Sequence, residues 1–276
     1  MRADETQITK IGPEHGFLRL DLKDIWNYRE LLYFLTLRDI KVRYKQTAIG
    51  VFWAVLQPVL TTLIFAVVFS QIARFDTAGP PYPLYVLSGL LVWLFVFNAV
   101  TFASGSLIGN TNLVTKVYFP RMIVPIAATL AGLVDLVPGL FVLLALMAFY
   151  GVAVSPAILL IPVFLGLTVI LALGIGTLFA ALNVRFRDVK FALPFALQIW
   201  MFISPIFYPL DILPPKAQTL IAFNPLTGIL QGFRAALFGG TIDWRLTALS
   251  CVGTFAVLLV SLLIFKRMED DFADSI

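Results

Sequence analysis

The sequence predicts an all-α membrane protein. It is expected to hold six transmembrane helices, with an amphipathic helix in the membrane interface before them and short re-entrant helices before the last span. Three observations predict this. Hydrophobic residues make up 60% of the 276 residues and charged residues only 13%, against roughly 25% in a soluble domain, and the mean hydropathy is +0.93. Several charge-free runs exceed the ~20 residues that cross a hydrocarbon core. The basic residues also sort to alternate ends of these runs. Sixteen Lys and Arg fall in segments expected inside, while Arg74, Lys216, Arg234 and Arg245 fall outside, which is the positive-inside pattern. Both termini are therefore expected in the cytoplasm.

Residues 1–27 are polar and mixed in charge, and read as a cytoplasmic tail. Asp4, Glu5, Glu14, Asp21 and Asp24 interrupt any apolar core. This is not the pattern of a cleavable signal peptide, so the first span is expected to act as both insertion signal and anchor. Residues 28–46, YRELLYFLTLRDIKVRYKQ, are apolar in their first half and alternate with charge in their second. The alternation of Ile40, Val42 and Tyr44 with charges fits a strand on pattern alone. A lone strand at a membrane would leave its backbone groups unpaired, so a helix lying in the interface is preferred. Its basic end, Arg38, Lys41, Arg43 and Lys45, suits anionic lipid or a cytoplasmic partner.

The spans follow in order. The first is 49–71, followed by a Gly/Pro-punctuated outside loop at 74–83, RFDTAGPPYP. The second is 84–108, ending in a cytoplasmic knuckle, KVYFPR, at 116–121. The third is 123–150. The charge-free run 136–184 is too long for one crossing, and the break at 151–156 starts a fourth span at 156–182. NVRFRDVK at 183–190 is the second basic cytoplasmic loop, and the fifth span, 191–210, carries Pro205 and Pro209 near its outer end. Residues 217–233 are uncharged but are cut by Asn224-Pro225. Two short re-entrant or interfacial helices, packed on protein, are expected there. The sixth span is 246–265, followed by Lys266, Arg267 and an acidic tail to residue 276.

Little chemistry is available to such a chain. GxxxxGK[ST], HExxH and Cys/His clusters are absent. His15 is the one histidine, and Cys251 is the one cysteine, so an intrachain disulfide is excluded. No cofactor or metal is expected in this chain, and an enzyme of any class is disfavoured. If the protein moves something uphill, the energy comes from another subunit. The net charge of +4 is no nucleic-acid signal, because the basic residues cluster by membrane side.

Asp135 is the single ionisable acid inside an expected span. Such a carboxylate is a functional candidate, or else a packing contact to a Ser, Thr or Asn of a neighbouring span. No basic residue is expected at its depth, so coupling to an ion gradient is not. Aromatic residues bunch in two spans: Trp93, Phe95, Phe97 and Phe102 in the second, and Trp200, Phe202, Phe207 and Tyr208 in the fifth. Rings facing a conduit would stack on sugar faces; rings facing lipid would be ordinary membrane aromatics.

Four stretches carry a resemblance. ELLYFLTLRDIKVRYKQTAIGVFWAVLQPVL, KVYFPRMIVPIA, NVRFRDVKFALPFALQIWMFISPIFYP and NPLTGILQGFRAALFGG resemble the ABC-2 type permeases of exporters of O-antigen, capsule and teichoic acid. The similarity runs over residues 30–265. It implies a homodimer with two cytoplasmic ATPase subunits that bind ATP and Mg, and a lipid-linked (polyprenyl-linked) glycan as substrate. It implies an interface helix at 28–46, a coupling helix at 110–121 and outer gate helices at 211–243. Handles for the ATPase would be Lys116, Tyr118, Arg121, Arg185, Arg187 and Asp188, or these charges set topology alone. The basic belt would draw the lipid headgroup, and the aromatics would guide the sugar chain. A permease of the same fold for drugs or lipids, and a non-transporting membrane scaffold, are the rival readings.

Overall fold

A computed structural model describes residues 22–45, 50–68, 79–269 and 272. Among them the protein is all helical, with no strand. The helices in chain order are α1 (Leu22–Asn27), α2 (Arg29–Lys45), α3 (Gly50–Val68), α4 (Tyr82–Gly109), α5 (Thr111–Lys116), α6 (Ile123–Ala131) and α7 (Leu133–Phe149). After a 3-10 turn at Pro156–Leu160 come α8 (Ile161–Arg185), α9 (Val189–Ile203), α10 (Pro215–Ala222), α11 (Pro225–Phe238) and α12 (Trp244–Glu269). Four segments among the described residues are long and apolar enough to cross a bilayer: Tyr82–Gly109, Ile123–Phe149, Pro156–Arg185 and Trp244–Glu269.

The helix α4 is the axis of the bundle. Its apolar residues run all round it and are nearly all buried, which is how a helix surrounded by other helices reads. It packs on α3, α6, α7, α8, α9 and α11. Helices approach closely in membranes where small residues let them. A Cβ at Gly176 of α8 would sit 2.8 Å from Cβ of Ala103 in α4, and one at Gly174 would sit 3.1 Å from Cα of Leu258 in α12. By contrast α12 turns Val252, Phe255, Leu259, Val260 and Leu263 outward, an apolar face of the kind a bilayer accommodates.

The third expected span is two helices. They meet at Gly132, which is helical at φ −67° and ψ −19°, and Pro138 then sits inside α7. Proline has no N–H for the carbonyl four residues back, so this helix is weakened on both sides of Asp135.

The fifth expected span, 191–210, is shorter than the sequence suggests. The helix stops at Ile203, and 15 residues rise only roughly 22 Å. The chain then turns inward through 204–207, all buried. Pro205 is the cause: a helix rarely continues through the residue before a proline.

The segment at 211–243 forms α10 and α11. Asn224 caps α11, its side chain accepting from the Leu226 N–H at 3.1 Å, with Pro225 as first residue. Gly239, at φ 83°, closes the helix in the left-handed conformation that glycine tolerates. Between these caps α11 is buried along most of its length against α4, α8 and α12.

Candidate functional site: an inward stripe, two knuckles and an aromatic junction

The alternation at 40–44 is helical. From Tyr28 through α2 a sheltered face recurs at Tyr28, Leu31, Leu32, Leu35, Thr36, Asp39, Ile40, Arg43 and Tyr44, with Leu37 half-buried beside it, three and four apart as one helix face requires. Arg29, Glu30, Tyr33, Phe34, Arg38, Lys41 and Val42 face outward. The belt is therefore divided. Arg38 and Lys41 are exposed, Arg38 donating to Asp39 at 2.8 Å, whereas Arg43 points inward. The side chain of Lys45 lies outside the described residues.

The stripe packs along α6. Leu35 joins a cluster with Phe119, Ile123, Val124 and Ala127, and the stripe's polar end reaches α7. There Arg43 Nη1 donates to Asp135 Oδ2 at 2.8 Å, and the Tyr44 hydroxyl donates to Asp135 Oδ1. The Arg43 guanidinium lies 3.8 Å from the centroid of the Phe102 ring. Two expectations are corrected here. Asp135 does have a basic partner at its depth, and its contact is an ion pair rather than a bond to Ser, Thr or Asn. Sequence reasoning missed this because Arg43 and Asp135 lie 92 residues apart. The spacing of Arg43 from Leu32, Leu35, Thr36 and Ile40 on one face was the available signal. Burial, with the Asp135 hydrogen bond and charge behind it, pushes the Tyr44 phenol well above its ordinary range.

Two knuckles share one end of the bundle, since Val114 and Phe119 of the first pack in one cluster with Ala180, Ala181 and Val184 of α8, which leads into the second. At the first knuckle Lys116, Val117 and Tyr118 are exposed, Tyr118 at 78%, while Phe119 beside them is 5% exposed and anchors the loop. Arg121 is held: its backbone N–H donates to Glu269 Oε1 at 3.3 Å and its Nη1 donates to the Glu269 carbonyl. At the second knuckle Arg185, Phe186, Arg187 and Asp188 are all exposed.

The aromatics of the second and fifth expected spans meet. Trp93 and Trp200 lie edge to face with centroids 5.5 Å apart, and Phe97 is 6.3 Å from Trp93. Trp200 Nε1 donates to Asn224 Oδ1 at 3.0 Å, and Asn224 Nδ2 donates to Ser204 Oγ at 2.9 Å. Phe207 is buried and stacks on Phe65 of α3 at 3.9 Å, with Phe202 6.3 Å away and exposed. Tyr208 donates to the Ile203 carbonyl at 2.8 Å. Phe95 and Phe102 are not part of the junction. Phe95 is buried toward Gly132, and Phe102 lies under Arg43.

A residue that sequence reasoning counted only as an outside charge holds this region together. Arg234 of α11 is buried. It donates to the carbonyls of Pro205 at 2.8 Å and Ile206 at 2.7 Å, while the hydroxyls of Tyr82 and Tyr85 donate to Phe207 and Tyr208 at 2.7 and 2.9 Å. Four successive carbonyls of a non-helical segment are thus taken by side chains, which non-helical backbone at membrane depth requires. Gly89 leaves the room: a Cβ there would sit 2.5 Å from Nη2 of Arg234.

The family model of the ABC-2 type transporter matches residues 30–238, which include the stripe from Leu31 onward, both knuckles, the aromatic junction and α11. The chain belongs to the ABC-2 type transporter family. Similar proteins include the O-antigen export system permease protein RfbA of Klebsiella pneumoniae, 28% identical over 89% of this chain and 94% of that one. RfbA of Myxococcus xanthus is 27% identical over 92% of this chain and 98% of its own length. The polysialic acid transport protein KpsM of Escherichia coli is 26% identical over 86% and 92%. As a member of this family the chain is a multi-pass membrane transport protein, and its similarity runs along nearly the full length of these relatives.

Proposed function

We propose that this chain is the permease subunit of an exporter that moves a lipid-linked polysaccharide of the O-antigen kind across the bacterial cytoplasmic membrane. The observation that carries the reading is the full-length similarity to permeases named for O-antigen and polysialic acid export. The exposed Phe202 and the half-buried Phe97 and Trp200 support it, because aromatic faces suit sugar rings and let a polymer slide without deep wells; Trp93, 3% exposed, backs Trp200 from the core.

In this reading the chain crosses the membrane six times with both termini inside. The helices α3 and α9 supply the two remaining crossings, and the irregular 204–210 completes the shorter one. Two copies assemble with two ATPase subunits, which hold ATP and Mg, and no cofactor resides in this chain. Lys116, Tyr118, Arg185, Arg187 and Asp188 form the surface the ATPase pushes. Arg121, bound to the end of α12, passes the push to that helix. Arg38 and Lys41 on the outward face of α2 draw the anionic headgroup, Phe97, Trp200 and Phe202 guide the sugar chain, and α10 with α11 forms the outer gate.

Deletion of the chain tests this. Lipids extracted from inner-membrane vesicles should contain an accumulated polyprenyl-linked polymer while the surface polymer vanishes. Unchanged surface and intracellular glycans would reject the polysaccharide and leave a drug or lipid exporter. An ATPase that neither co-purifies with the chain nor responds to it would point to a scaffold.

A further inference from the structure

The polar end of the α2 stripe has no place in the account above. Tyr28, Leu31, Leu32, Leu35, Thr36 and Ile40 of the stripe pack as hydrophobic or weakly polar surface, Asp39 accepts from Arg38, and then Arg43 and Tyr44 both reach one carboxylate, Asp135. The side chains of Arg43 and Asp135 are 15% and 20% exposed. A charge pair so sheltered holds only when its geometry and extra hydrogen bonds are good, and here Tyr44 and the Phe102 face supply them. Asp135 also stands at the weakest point of its segment, between the helix junction at Gly132 and the proline inside α7. The helix α7 then packs on α3 and α4. The carboxylate thus fastens the end of a helix outside the long spans to the stretch where the third span is interrupted.

We propose that Asp135 is a positioning residue for transport. Held by Arg43 and Tyr44, it ties the end of α2 to the junction of α6 and α7, so that displacement of α2 is delivered to α7 and, through it, to α3 and α4. A coupling network needs an element with two arrangements that one site biases, and the interrupted stretch Gly132–Pro138 is placed to serve as that element. The inference rests on reading the chain as the permease of an ATP-driven exporter, but not on what is exported.

The test uses the complete exporter, this chain with its ATPase, in proteoliposomes. Cys251 is replaced by Ala and a bimane fluorophore is attached at Val137→Cys, an exposed position of α7. Emission is read with and without a non-hydrolysable ATP analogue. In the parent, nucleotide should shift the emission. In Asp135→Asn the shift should fall at least about fivefold while nucleotide binding persists. Arg43→Gln with Asp135→Asn removes both charges, so no unpaired charge remains; it should insert and assemble as the parent does and still lack the shift. The swap Arg43→Asp with Asp135→Arg should recover part of it. A shift of equal size in parent and double variant overturns the inference, as does the absence of any shift in the parent. Failure of the polysaccharide reading would look different: no polymer is exported by the parent, yet the nucleotide response and its loss remain.

Discussion

The guanidinium of Arg234 lies 3.6 Å from the centroid of the Tyr85 ring, and the hydroxyl of the same tyrosine donates to the Tyr208 carbonyl. One side chain from α11 and one from α4 thus close around a segment that neither belongs to. A buried guanidinium is tolerable here because its N–H groups meet carbonyls in a fixed fork, an arrangement that lysine cannot copy.

Arg234→Met should therefore destabilise the protein. The carbonyls of Pro205 and Ile206 lose their donors, at about 1–3 kcal/mol for each left buried and unpaired. Thermal unfolding in detergent should show a clear drop in Tm, with Arg234→Lys recovering part of it. Equal Tm values for parent and Arg234→Met would mean that water replaces the guanidinium.

Tyr118 and Phe119 are adjacent and should behave oppositely. Phe119→Ala empties a buried site and should cost about 3–5 kcal/mol. Tyr118→Ala removes an exposed ring and should change stability by no more than about 0.5 kcal/mol, yet lower transport-coupled ATP hydrolysis in the complete exporter. Unfolding curves and ATPase rates on the same preparations separate the two effects.

Trp200 has two jobs that substitution can divide. Trp200→Phe keeps a ring against Trp93 but loses the bond to Asn224, about 0.5–1.5 kcal/mol, and export should persist. Trp200→Ala removes the ring as well. Surface polymer should then fall further than the amount of permease in the membrane does, which immunoblotting and polymer analysis of the same cells would show.

Tyr44 predicts an alkaline limit. Its phenol is raised by burial first and by Asp135 second, so the folded chain keeps a proton that the unfolded chain releases near pH ~10. The stabilisation is fully present below that pH and is lost as pH rises toward the folded value. Parent stability in detergent should fall more steeply from pH 10 upward than that of Tyr44→Phe. Parallel curves for the two would show that Tyr44 titrates alike in both states.

Much of the architecture was legible in the chain. Charge-free length gave the long helices, and Asn224-Pro225 gave the break before α11. The bunched aromatics were expected to face a conduit or lipid, and their meeting at Trp93 and Trp200 came from the packing of the helices. The premature end of α9 was signalled by Pro205, although hydropathy alone carried the span onward to residue 210. The spacing of Arg43 from Leu32, Leu35, Thr36 and Ile40 marked its inward side but not its partner. Arg234 looks like an ordinary topology-setting charge, and nothing local distinguishes a cation that faces water from one that caps buried carbonyls.

What the sequence by itself determined was membrane residence, helical content and the family, because these follow from local hydrophobicity and from residues in linear order. What only the tertiary structure decided was pairing. Asp135 acquired a cation from a helix 92 residues away, and four carbonyls at 205–208 acquired donors from α4 and α11. The physical reason is that, away from water, every polar group must find its partner within the protein, and which partner lies within reach is fixed by how the helices pack, not by their order along the chain.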